Sequence, residues 1–110
     1  MSLLIEYSDN FLREAKKLSK KFKLLKDDLK SVIKSIEEGN DLDAYLGYNL
    51  YKKRVSNSSI PTGKSGGFRV IIYKKVENKV VLISIYSKTY KDTLSDEELK
   101  IILKNHMESK

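Results

Sequence analysis

The chain has 110 residues, one histidine, no cysteine and a formal net charge of +7. That length suits one domain over residues 1–110, able to bury a modest core without staples. The missing cysteines exclude disulfides and suit a cytoplasmic protein. No run approaches the roughly 18 apolar residues of a membrane span, and no basic-then-apolar leader opens the chain, so neither a membrane nor secretion is expected. The charge is unevenly spread. Residues 50–91 hold ten basic side chains against Glu77 alone, whereas the rest of the chain holds twelve basic and fourteen acidic ones. A basic surface of that kind attracts polyanions, nucleic acid being the usual one.

Leu3–Tyr7 reads as a short strand, and Ser8, Asp9 or Asn10 can cap the helix that follows. Phe11, Ala15, Leu18, Phe22 and Leu25 make one apolar stripe of that helix. Its lysines read as a solvated face. A second stripe, Leu25, Leu29, Val32, Ile33 and Ile36, stops at Gly39-Asn40. A bend near Lys23 to Asp27 would make the two a helical hairpin. Asp41 to Gly47 reads as loop, Asn49 to Val55 as strand, and Ser56 to Gly67 as a polar loop. Phe68 to Tyr73 and Lys79 to Ser87 then form an antiparallel hairpin turning at Glu77-Asn78. Ser95-Asp96-Glu97-Glu98 is a capping box opening a last helix with the stripe Leu99, Ile102 and Leu103. The order β-α-α-β-β-β-α predicts an α+β fold: a small, mostly antiparallel sheet with helices packed on one face and the other face open.

Strand alternation places Phe68, Val70 and Ile72 on one face and Arg69, Ile71 and Tyr73 on the other. An arginine is costly to bury alone, so Arg69 is expected to face water or an anion. Lys52 and Arg54 can sit beside it, with Lys88, Tyr90 and Lys91 closing the group from the end of the last strand. Such a set of cations with a phenol suits phosphate binding and stabilisation of charge on a phosphorane. One histidine rules out a two-histidine ribonuclease, and His106 lies on the stripe of the last helix, where packing explains it. Carboxylates are scarce near the sheet, so no metal or other cofactor is expected. Gly63-Lys64-Ser65 resembles a P-loop ending, but Ser58 stands where its first glycine belongs. A metal-free route exists for RNA: the 2′-hydroxyl attacks the adjacent phosphate, given a base, a charge clamp and a proton donor. A lysine crowded by other cations can be that base. The same cations would equally serve binding alone.

Tyr51-Lys52-Lys53-Arg54, then Gly63 to Tyr73 (Gly-Lys-Ser-Gly-Gly-Phe-Arg-Val-Ile-Ile-Tyr), then Ile83 to Lys88 (Ile-Ser-Ile-Tyr-Ser-Lys) and the helix started at Leu94/Ser95 resemble the RelE/ParE superfamily of bacterial toxin–antitoxin toxins. The Gly-Lys-Ser-Gly-Gly and Tyr-Ser-Lys signatures look closest to its HigB-like branch. The resemblance implies a ribosome-dependent endoribonuclease that cuts mRNA during translation and is neutralised by a cognate antitoxin, often of helix-turn-helix type. It implies catalytic roles for Lys52, Arg54 and Arg69 and a basic residue after the last strand, where Lys88 and Lys91 fall. Beside the resemblance, Lys88 and Tyr90 complete the candidate catalytic set, and Lys53, Lys64 and Lys91 are candidate RNA contacts. Arg54 stands where lysine is common, and arginine is a poor base because it stays charged, leaving Lys52 or another group for that role. The family's tyrosine in the C-terminal segment has no counterpart after Leu94; Tyr90 comes earlier. Two other readings compete: a non-catalytic ParE-like inhibitor of DNA gyrase, which the basic cluster disfavours, and a plain RNA-binding domain.

Overall fold

The computed structural model describes residues 3–39, 42–60, 67–89, 91 and 94–108. Its elements run β1 (Leu4–Tyr7), α1 (Asp9–Lys21), α2 (Leu25–Glu37), β2 (Ala44–Gly47), β3 (Leu50–Val55), β4 (Phe68–Val76), β5 (Lys79–Ser87) and α3 (Asp96–Glu108). The strands form one sheet in the order β1-β5-β4-β3-β2. β1 runs parallel to β5 and every other neighbour is antiparallel. The expected α+β architecture with a mostly antiparallel sheet is therefore present.

Ser8 is the N-cap of α1: its Oγ accepts from the Phe11 amide at 3.0 Å, satisfying one of the free first-turn donors. The helical hairpin bends where Phe22 leaves α1 with an extended backbone. Its ring stands edge-on to Phe68, centroids 5.2 Å apart, so a core contact ends the helix where no strong breaker lies in the sequence. α1 and α2 lay Phe11, Phe22, Leu25, Val32 and Ile36 on the face of the sheet made by Val55, Phe68, Val70, Ile72, Leu82 and Ile85.

Two expectations need correction. Asp41 to Gly47 is not all loop, because Ala44–Gly47 is strand β2, pairing with β3 at the sheet edge. The second face of the sheet is not open either. α3 crosses it, with Leu99 buried among Leu50, Ile71, Tyr73, Val81 and Ile83, and Ile102 and Leu103 packed alongside. The physical reason lies in the strands. The middle of β4 is apolar on both faces, and Val70, Ile71 and Ile72 are all fully buried, a pattern that demands cover on each side. A register shift assists: Ile71 pairs with Ser84 but Ile72 with Leu82. The extra residue, Ile83, joins the α3 side, while Ile85 beyond it returns to the other core.

β5 outruns its short neighbour β1, which pairs only as far as Leu82. Side chains of the α1 N-terminal region close the bare edge. Ser8 Oγ and Asn10 Nδ2 donate to the Ile83 carbonyl at 3.1 and 3.0 Å. The Glu14 carboxylate accepts from Ser84 Oγ at 2.9 Å and from the Ile85 amide at 3.2 Å. No helix among the described residues is long and apolar enough to cross a membrane.

Candidate functional site

The pleat of β3 divides its three cations. Lys52 and Arg54 have the parity of Leu50 and share the α3 face, whereas Lys53 has the parity of Val55 and shares the α2 face. Across the ladder Arg54 pairs with Arg69 of β4, and Lys52 pairs with Ile71, two residues further along the same strand. Lys52, Arg54 and Arg69 therefore form a triangle on one face, beyond the apolar part that α3 covers. Facing cross-strand residues have Cβ atoms about 4.5–5.5 Å apart, and like charges so placed destabilise the pair. A phosphate set among them would turn that repulsion into attraction.

The three are not equally accessible. Arg54 is exposed and Lys52 half-buried. Arg69 is only 4% exposed, contrary to the expectation that it faces open water. Its Nη1 donates to the Phe68 carbonyl at 3.1 Å, and the buried Tyr86 is its partner on the β5 side. Hydrogen bonding to backbone offsets part of the desolvation that made burial look prohibitive. Asp43, just before β2, fixes the neighbouring strand, because its Oδ2 accepts from the Arg54 amide at 2.9 Å. Nothing in the sequence pattern marked that role.

The remaining cations fall in different places. Lys53 is 9% exposed. Its Nζ lies 3.9 Å from Asp43 Oδ1, and it lines a polar groove with Asp28, Ser31 and Ser35 of α2, which Arg54 also borders. The structure thus sets Lys53 apart from the triangle, because adjacent residues of a strand point to opposite faces. Lys88 follows β5 and is half-buried; its amide donates to the Gly67 carbonyl at 2.9 Å. That bond ties it beside the start of β4, at the end of the sheet where Arg54 and Arg69 lie. Lys91 is engaged by α3: its Nζ meets both carboxylate oxygens of Glu98 at 2.5 and 2.6 Å. Glu98 also belongs to the capping box, accepting from the Ser95 amide and donating its own amide to Ser95 Oγ. The Lys91 hydrogen bond, then the Ser95 amide, hold the Glu98 carboxyl down at about 2. The box was legible in sequence, but the lysine it would hold was not. Tyr90 and Lys64 lie outside the described residues. His106 is buried and stacks edge-on with Tyr73 at 5.9 Å, in the packing role read from the sequence.

A family model described as the RelE toxin of the RelE/RelB toxin–antitoxin system matches residues 10–108. The chain belongs to the RelE toxin family. The fold of this RelE-family toxin agrees with a solved structure, an arginine double mutant of the E. coli toxin RelE in its free state. That match has a TM-score of 0.56 and 17% sequence identity, and covers 84% of this chain and 90% of the other. No curated protein sequence matches the chain. Membership of the family makes this a toxin of a toxin–antitoxin system and implies an antitoxin partner.

Proposed function

We propose that this RelE-family toxin is a ribosome-dependent, metal-independent mRNA endoribonuclease of the HigB-like branch, acting in the cytoplasm and neutralised by a cognate antitoxin of helix-turn-helix type. The observation that carries the reading is the direct pairing of Arg54 with Arg69, with Lys52 diagonal to Arg69 on the same face. Arg54 and Arg69 clamp the scissile phosphate and stabilise the charge that builds on its oxygens in the transition state. Lys52 takes the proton from the 2′-hydroxyl, whose oxygen forms the new bond to phosphorus. The bond to the 5′ oxygen breaks, a proton returns to that oxygen, and the products are a cyclic phosphate and a 5′-hydroxyl. Lys88 stands at the same end of the sheet, where it adds positive charge.

The test is mRNA cleavage by the purified protein, with and without translating ribosomes, with the cut ends mapped. Cuts on ribosomes by the wild type, lost in Arg54→Gln, are the expected result. Cuts on naked RNA would retain the nuclease and remove ribosome dependence. No cuts in either setting would overturn the reading, and gyrase supercoiling would then be assayed.

A further inference from the structure

The turn joining β2 to β3 is a two-residue loop, Tyr48-Asn49, between the paired Gly47 and Leu50. Both loop residues have positive φ, 54° at Tyr48 and 63° at Asn49, as the favoured two-residue hairpin turn requires. Asparagine tolerates that region. A bulky tyrosine there is an outlier, because its Cβ crowds the backbone. Such strain persists only where something else holds it. Burial does not, since Tyr48 is 47% exposed and belongs to neither core cluster. The one ring contact found for it among the described residues is Lys100 of α3, with Nζ 5.7 Å from the ring centroid. An exposed cation–π contact is a weak reason to keep a strained residue.

Position supplies a better reason. Lys100 belongs to α3, and α3 lies on the face of the sheet that carries Lys52, Arg54 and Arg69. The Tyr48 ring is therefore turned to that same face. At the rise of a strand it stands roughly 13 Å from Lys52 and roughly 20 Å from Arg54. The turn is also firmly held: the Asn49 amide donates to Tyr45 Oη at 3.3 Å and its carbonyl accepts from the Lys74 amide at 2.9 Å. A rigid, half-exposed aromatic ring beside a lysine is the usual platform on which proteins stack an unpaired base while the cation meets its phosphate.

We propose that Tyr48, with Lys100, is a stacking subsite for a nucleobase of single-stranded RNA, a few nucleotides along the strand from the phosphate held by Lys52, Arg54 and Arg69. This rests on the proposed nuclease reading for the direction of the RNA. The strained tyrosine is retained because the ring is used.

The probe is a fluorescent 2′-O-methyl RNA oligonucleotide, which cannot be cut because the attacking hydroxyl is blocked. Its affinity is measured for the wild type, Tyr48→Gly, Tyr48→Phe and Arg54→Gln, alongside thermal melting. Tyr48→Gly is expected to melt at the same or a higher temperature, since glycine accepts the positive φ. It should bind at least about fivefold more weakly, the loss that one removed base–aromatic stack entails. Tyr48→Phe should bind as the wild type, and an abasic oligonucleotide should not distinguish wild type from Tyr48→Gly. Unchanged affinity in Tyr48→Gly, with weakened binding in Arg54→Gln, would overturn the subsite and leave the clamp standing. Absence of binding by the wild type would overturn the subsite and leave the clamp to the ribosomal cleavage assay. Loss of a protein partner in Tyr48→Gly with unchanged RNA affinity would make the ring a protein contact and overturn the subsite.

Discussion

Arg54 and Arg69 are direct cross-strand partners on the same face of the sheet, yet one is exposed and the other almost wholly buried. The pair is thus asymmetric. Arg54 can be replaced with little effect on packing, whereas Arg69 is part of the fold as well as of the charge.

Arg54→Gln should therefore separate activity from stability. Removing one of two facing like charges is expected to leave stability unchanged or raise it by about 0.2–1 kcal/mol. Cleavage on ribosomes should fall by about a hundredfold or more, the loss associated with one group that stabilises transition-state charge. Urea unfolding and single-turnover cleavage of the same preparation give both numbers. A large loss of stability would mean that Arg54 is structural.

Arg69 needs two substitutions. Arg69→Ala removes a buried stem and leaves the Phe68 carbonyl short of a donor, so a loss of about 1–3 kcal/mol is expected together with inactivity. Arg69→Met keeps most of the stem without the charge, and should retain more stability than alanine while remaining inactive. Activity in a folded Arg69→Met protein would remove the residue from the clamp.

Glu98 makes a pH prediction. Its carboxyl is lowered from its ordinary 4.5 to about 2 by Lys91 and Ser95, so the folded state takes up its proton less readily than the unfolded one. The stabilisation is fully present above about pH 4.5 and is lost as the pH falls toward 2. Glu98→Gln should remove that part of the acid dependence and free Lys91 from α3. Carboxyl titration by NMR in the two proteins checks it; an ordinary Glu98 midpoint would show that the ion pair does not persist in solution.

Glu14 closes the edge of β5, taking hydrogen bonds from Ser84 Oγ and the Ile85 amide. Glu14→Ala should cost about 1–3 kcal/mol by leaving these donors unmet, and Glu14→Gln, which keeps one acceptor oxygen, less. Amide exchange at Ile85 should quicken in the alanine variant. Unchanged exchange would mean that water or another group replaces the carboxylate.

What could be read from the chain followed from periodicity. The stripes of α1 and α2, the β4–β5 hairpin, and the shared face of Lys52, Arg54 and Arg69 all rest on local geometry that side-chain spacing records. What could not be read depends on tertiary partners. Alternation put Arg69 opposite Val70, but its burial depends on the Phe68 carbonyl and the flanking strands, which spacing does not record. The capping box announced α3 without saying which face it would cover. β2 was hidden because the chain around it turns at Asp43, Gly47 and Asn49, all at positive φ, and these residues also spell loop. Lys53 is parted from Lys52 and Arg54 by the pleat, which alternation does record, but its tie to Asp43 is not visible in the sequence.

The pairing of β1 with β5 joins residues 4–7 to residues 79–82, so during synthesis β1 waits for β5. Until β4 and β5 have both emerged there is no centre for the sheet, and the face bearing Lys52, Arg54 and Arg69 has no rigid backing. Non-local pairings of this kind form late, because a long loop must close before any contact rewards it. The face that carries these three cations thus takes shape only after β5 has been made.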